Sequence, residues 1–203
     1  MQNELVGSGD YAIATLQANA ASKENLNSDG YYHVVCRDKD GNVKWEDGFE
    51  NQVMQVGKIL AMNTLLYTAS GYTLVGPYLG LITSSTGYSA TDTMASHSDW
   101  TEFTNYTVGG SAVRGTAVFA TATGNNVTTS GSNVVTSSAS AITYTITGAG
   151  GTVAGCFLVT GTGASSTISS TTGTLWSAGG FAVAKVTTAG DTVTVTYSTT
   201  ATS

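Results

Sequence analysis

GDTVTVTYSTT, residues 190–200, decides the fold class. Val193, Val195 and Tyr197 alternate with Thr192, Thr194 and Thr196, so an extended backbone puts the large apolar side chains on one face and the threonines on the other. ITYTIT, residues 142–147, repeats the arrangement with Ile142, Tyr144 and Ile146 on one side. β-Branched residues on both faces favour strands, and threonine keeps the outer face strand-forming and soluble at once. GTVAGCFLVT (151–160) and TLWSAGGFAVAKVT (174–187) supply further strands, separated by Gly/Ser turns. The spacing predicts a mainly β protein, an antiparallel β-sandwich or jelly-roll-like barrel.

Moving toward the N-terminus, the character of the chain changes. Of its 20 charged residues, all but Lys185 and Asp191 lie at or before Arg114. A boundary near 108–115 follows, with a Thr/Gly-rich sandwich over 111–203 and an α+β region over 31–110, either as separate units or as one continuous domain. In that region YYHVVC, the turn at Asp40 and Gly41, and NVKWE read as a β-hairpin, since Asp-Gly supplies the positive φ angles of a tight turn. A single short helix is expected after Asn51 as N-cap, with Val53, Val56, Ile59, Leu60 and Met62 or Leu66 on its buried face and Gly71 beyond its end. PYLGLIT reads as a strand and residues 85–97 as a loop. Residues 1–30 hold only a weak apolar cluster at Tyr11, Ile13 and Leu16 and are expected to form an extended N-terminal arm that a neighbouring surface must hold.

Composition narrows the functions. The net charge is -6, with seven Lys and Arg against 13 Asp and Glu, so no positive field exists to displace counterions from nucleic acid. No run approaches the roughly 18–20 apolar residues of a membrane span, and the first residues lack a basic start followed by an apolar stretch. Neither nucleic acid nor membrane is expected as a partner. The 57 Ser and Thr suggest low complexity, but Val, Ile and Tyr in alternation argue for a packed β protein. Cys36 and Cys156 stand far apart without zinc spacing and are expected to be buried thiols. Sparsely charged strand edges suggest that other subunits, or the chain itself, cover them.

The candidate chemistry is thin. Ser96, His97 and Asp99 are almost adjacent, which prevents the histidine from bridging the other two as a catalytic relay requires. DKDGN, residues 38–42, echoes the start of a calcium loop but lacks its closing glutamate, and Asp38, Asp40, Glu46, Asp47 and Glu50 surround a hairpin instead. With His33 and His97 the only histidines, no metal, cofactor or catalytic residue is assigned. An enzyme acting on cell-surface sugar would draw on Asp92, Asp99 and Glu102, since Asp191 is the one acid of the C-terminal half. Tyr72, Tyr78, Tyr88, Trp100, Tyr106 and Trp176 are expected to serve packing or subunit contact rather than to stack on sugar rings. Asn105 and Asn126 match a glycosylation pattern without a secretory signal to support its use.

Three stretches together carry a likeness: GNVKWEDGFENQVMQVGKILAMNTLL at 41–66; YLGLI followed by DTMASHSDWTEFTNY and Arg114; and the Thr-rich tail ending GDTVTVTYSTT. In their order and spacing the chain resembles a family of tailed-bacteriophage virion structural proteins, of the head decoration or cement type. The resemblance covers most of the chain from about residue 31 and brings no catalytic residues with it. It implies a non-enzymatic protein on the capsid surface of the virion, made in the host bacterial cytoplasm, whose partners are the major capsid protein and neighbouring copies of itself. On that reading the arm lies across the capsid protein. A tail-fibre or receptor-binding module for host carbohydrate shares the composition and stands as the alternative.

Overall fold

The computed structural model describes residues 27–66, 75–121, 123–125 and 134–202. Among them are β1 Asn27–Arg37, β2 Val43–Val53, α1 Gln55–Leu66, β3 Tyr78–Ser85, β4 Trp100–Glu102, β5 Tyr106–Thr107, β6 Gly115–Thr116, β7 Thr123–Asn125, β8 Val134–Ser138, β9 Ile142–Ile146, β10 Gly151–Thr160, β11 Thr174–Thr187 and β12 Thr192–Thr202. The strands form one antiparallel sheet in the order β4-β3-β10-β11-β2-β1-β12-β8-β7, with β9 beside β12, β5 beside β9 and β6 beside β3. The sheet is curled as a half-barrel, giving the mainly β class with one short helix that the alternating threonines predict.

The curl turns the period-two faces toward one another. Val193, Val195 and Tyr197 of β12 and Ile142, Tyr144 and Ile146 of β9 point into a core that Leu79 and Leu81 of β3 and Cys156 and Leu158 of β10 close from the opposite side. On the outer face Thr143 and Thr194, paired across the β9–β12 ladder, join through their hydroxyls at 3.2 Å. β10 is buried on both sides. Its Phe157 and Val159 enter a second core with Ile82, Leu175 and Met54, roofed by Met94 and Trp100. A strand sealed on both faces reads as a continuous apolar run, as GTVAGCFLVT does.

The hairpin lies where expected: β1 and β2 pair, Gly41 has φ 87° in the turn, and Asp38 accepts backbone hydrogen bonds from Asp40 and Asn42 at 2.9 Å each. The helix start differs. Asn51 sits within β2 opposite Gly30, and the first helical bond runs from Lys58 N–H to the Met54 carbonyl, so strand pairing carries the chain three residues past the expected cap. The expected buried face is also rotated. Leu60 is buried, but Ile59, Met62 and Leu66 are exposed, because Gly57 is the residue that approaches β11. A Cβ at Gly57 would lie 2.8 Å from the Trp176 carbonyl oxygen, and only glycine allows that closeness.

Of the arm expected over 1–30, residues 1–26 lie outside the described residues. Asn27–Gly30 belong instead to β1, laddered to Thr199–Thr202 of β12, since backbone pairing does not need apolar side chains. Gly71 likewise lies outside. The sheet runs across residue 110: β1 pairs with β12, β2 with β11 and β3 with β10. One end of the strand path, β4, is three residues long, and so short an edge offers little template for strand addition.

Candidate interaction surface

The loop between β3 and β4 carries the densest polar string, and its side chains are spent on holding the loop. Thr93 and Ser96 pair through their backbones, N to O at 2.9 and 3.2 Å. His97 lies flat on Trp100, ring centroids 3.7 Å apart, and its Nδ1–H donates to the Trp100 carbonyl at 3.0 Å. The Asp99 carbonyl accepts from Thr86 N–H at 2.8 Å, and its carboxylate accepts from Ser98. No hydrogen bond among the described residues joins His97 to Ser96 or Asp99, so the three do not form a relay. Buried Asp92 takes the Trp100 indole N–H at 3.0 Å and Ser89 N–H at 3.2 Å, pinning the roof over the second core.

Glu102 and Arg114 form the most deeply buried ion pair. The guanidinium meets the carboxylate two-pronged, Nε to Oε1 at 2.9 Å and Nη2 to Oε2 at 2.7 Å. It also donates to the carbonyls of Ser165 and Ser170 at 3.1 and 2.8 Å and lies 5.0 Å over the Phe157 ring. Glu102 Oε2 accepts Ser169 N–H at 2.8 Å, where the chain turns with φ 63°. This cluster staples the Gly/Ser-rich loop between β10 and β11 to β4. Glycine and serine have no apolar side chains with which to hold such a loop, so a bidentate arginine takes over the task.

Asp191, the lone acid of the C-terminal half, is buried beside β2. Lys44 Nζ meets it at 2.6 Å, and Thr188 donates its N–H at 2.8 Å and its hydroxyl at 3.1 Å. Burial alone would raise this carboxyl, but the hydrogen bonds from Lys44 and Thr188 outweigh it and hold the group below its ordinary value. Lys44 is raised in turn, chiefly by its hydrogen bond to Asp191. Both cysteines are free and buried, and burial pushes the Cys36 thiol up to about 11.

The hairpin acids are dispersed among separate partners. Asp40 meets Lys39, Asp47 meets Lys185, and Glu46 accepts from His33 Nε2 at 2.9 Å. Among the described residues no three His, Cys, Asp or Glu side chains converge on a metal position. The aromatics divide as well. Trp100 and Tyr106 are buried, so neither can offer a ring face to a sugar, and Trp176 is half-buried with its N–H 3.3 Å from the Tyr197 hydroxyl. Tyr78 and Tyr88 pack on the second core, and Tyr72 and Asn126 lie outside the described residues. Asn105 donates to the Gly150 carbonyl at 2.9 Å.

Among the described residues, large apolar side chains stand outward on α1 and on β11, and singly at Tyr31, Val43 and Val118. On α1, Ile59, Met62 and Leu66 are 51, 48 and 72% exposed. On β11, the register breaks between Val153–Lys185 and Gly155–Gly180, leaving four β11 residues, Phe181 to Ala184, opposite Ala154 alone. Phe181 turns inward, edge-on to Trp45 and Phe49 at 5.6 and 4.8 Å, while Val183 and Val186 stand out at 72 and 66%. The adjacent β2–β11 seam has ladder partners only at Ser177–Val53 and Ala178–Gln52, and beyond them the Lys185–Asp47 ion pair and the Trp45 indole N–H donating to the Val186 carbonyl span it. Alternation alone missed this bulge; the doubled glycine before FAVAKV was its one signal. Among the described residues no helix is long and apolar enough to cross a membrane. The chain matches no family model, no curated protein and no solved structure.

Proposed function

We propose that this protein is a non-enzymatic structural component of a tailed-bacteriophage virion, a capsid decoration or cement protein that docks on the major capsid protein. The observation that carries the reading is the distribution of side chains. Asp92, Arg114 and Asp191 are buried, and Glu102 half-buried, in contacts that hold loops, whereas large apolar side chains stand outward on α1 and on β11. Exposed apolar groups gathered on rigid elements suit protein contact more than chemistry. The Thr-rich outer sheet adds a strand-built face of low charge that can lie against a shell without electrostatic cost. The partners are then the major capsid protein and neighbouring copies on the capsid surface, with neither nucleic acid nor membrane involved.

Copy number tests this reading. Quantitative mass spectrometry of purified particles should find the protein on the order of hundreds of copies, in a fixed ratio to the capsid protein, because a symmetric shell repeats each docking position. A few tens of copies or fewer would contradict it and place the protein in a tail.

A further inference from the structure

The β11 bulge leaves a piece of strand without neighbours. Ladder pairs with β10 stop at Gly180 and resume at Lys185, and those with β2 stop at Ala178, so among the described residues 181–184 have no ladder partner on either side. Solvent reaches them: Ala182, Val183 and Ala184 are exposed, and a groove of about 530 Å³ opens beside Ala182 and Ala184. Exposed, unpaired strand is a template for another strand, and proteins ordinarily guard it with charge or proline. Neither guard is present here, since residues 174–184 hold no charged side chain and no proline.

The segment is also complementary to itself. Its sequence is symmetric about Val183, with Ala182 and Ala184 as flanks. Antiparallel pairing about a twofold axis at Val183 sets that residue against Val183 of the partner subunit and Ala182 against Ala184 of the partner subunit. Small flanks let the two backbones close, and a β-branched pair facing across the axis is a favourable cross-strand contact. One position further out, Phe181 meets Lys185 of the partner subunit. These two residue types already attract within one chain, where Lys185 Nζ lies 5.5 Å from the Phe181 ring centroid, and the pairing repeats that cation–π contact across the axis. The whole chain carries a net charge of -6, yet this register sets no like charges opposite each other: Lys185 is the one charged residue of β11, and Asp47 neutralises it at 2.6 Å.

We infer that two copies of this chain join by antiparallel strand addition through residues 181–185 of β11, across a twofold axis at Val183. So short a stretch places the contact among the weak, transient interfaces, below about 1,200 Å² in total. Copies held side by side on a larger surface are joined more firmly by the same contact. That last consequence rests on the shell-binding reading; the pairing itself is a property of the free protein.

Disulfide trapping on the isolated full-length protein tests the axis separately from any capsid. Cys36 and Cys156 are buried, so an introduced surface thiol is the one that reacts. Facing Cα atoms of an antiparallel ladder lie about 4.5–5.5 Å apart, within disulfide reach, whereas the two copies of residue 186 lie roughly 20 Å apart in this register. In a glutathione redox buffer Val183→Cys should therefore form a linked dimer at least about tenfold faster than Val186→Cys or Ile59→Cys, two other exposed positions. Ala182→Cys mixed with Ala184→Cys should give the heterodimer in preference to either homodimer, because 182 faces 184 and not itself. All of these side chains are exposed, so the substitutions leave the body folded. Cross-linking of Val183→Cys no faster than that of the two controls would overturn the inference. So would a mixture that yields homodimers as readily as heterodimers, the mark of random collision.

Discussion

Arg114 shows most sharply how a single side chain supports this molecule. Fully buried, it answers Glu102 and two loop carbonyls at once, so truncation leaves the carboxylate with only the Ser169 N–H and takes a donor from each carbonyl. Arg114→Ala should therefore destabilise the protein by about 3–5 kcal/mol in urea unfolding, the cost of breaking a buried pair from one side. Arg114→Lys should recover little of it, because an ammonium cannot reproduce the two-pronged contact. Asp191 gives a pH signature. Its folded-state carboxyl is depressed, so its contribution is present above the ordinary carboxylate range and disappears as pH falls through the lowered value. Asp191→Asn should cost about 1–3 kcal/mol at pH 7, within the range for hydrogen bonds to a charged group, and the gap from the unaltered protein should close below about pH 4. A gap that stayed constant down to pH 2 would show that the charge on Asp191 is not what Lys44 and Thr188 recognise.

At the scale of elements, α1 separates what periodicity can and cannot tell. Three- and four-residue spacing identified a helix here, but Val53, Val56, Ile59 and Leu60 fit more than one face, and the choice among them was made by Gly57 meeting the Trp176 backbone. A contact 119 residues distant in sequence leaves no local mark except the glycine itself. Leu60→Ala should thus cost about 2–4 kcal/mol, as for other buried leucines, while Ile59→Ala should change stability by less than about 0.5 kcal/mol. Comparable losses at both positions, read from denaturant midpoints, would restore the face inferred from spacing. The strands were more legible: β9, β10, β11 and β12 follow the threonine alternation and the apolar runs closely, because burial on one face or on both writes itself directly into the sequence. The β11 bulge was not legible, since four unmatched residues interrupt a ladder without interrupting the apolar run.

For the whole molecule, the ladder from β1 to β12 ties the two ends of the described chain together, and residues on both sides of position 110 share one core. Trp45, Trp100 and Trp176 report from the seam, the second core and the start of β11. Urea unfolding followed by tryptophan fluorescence and by far-ultraviolet circular dichroism should give coincident transitions; two separated midpoints would mean that the charged and Thr-rich stretches unfold independently. The candidate site was the least legible part. The polar string 92–103 attracted chemical readings because its residue types are those of active sites, whereas the outward apolar residues resembled ordinary core until the fold placed them on the surface. Adhesion through those surfaces is the proposed function, and co-sedimentation with shells assembled from the proposed partner, a tailed-phage major capsid protein, tests it most directly. Purified protein should pellet with the shells and saturate at a ratio fixed by shell symmetry, with Val183→Lys weakening the binding; a protein that stays in the supernatant at every concentration would contradict the account.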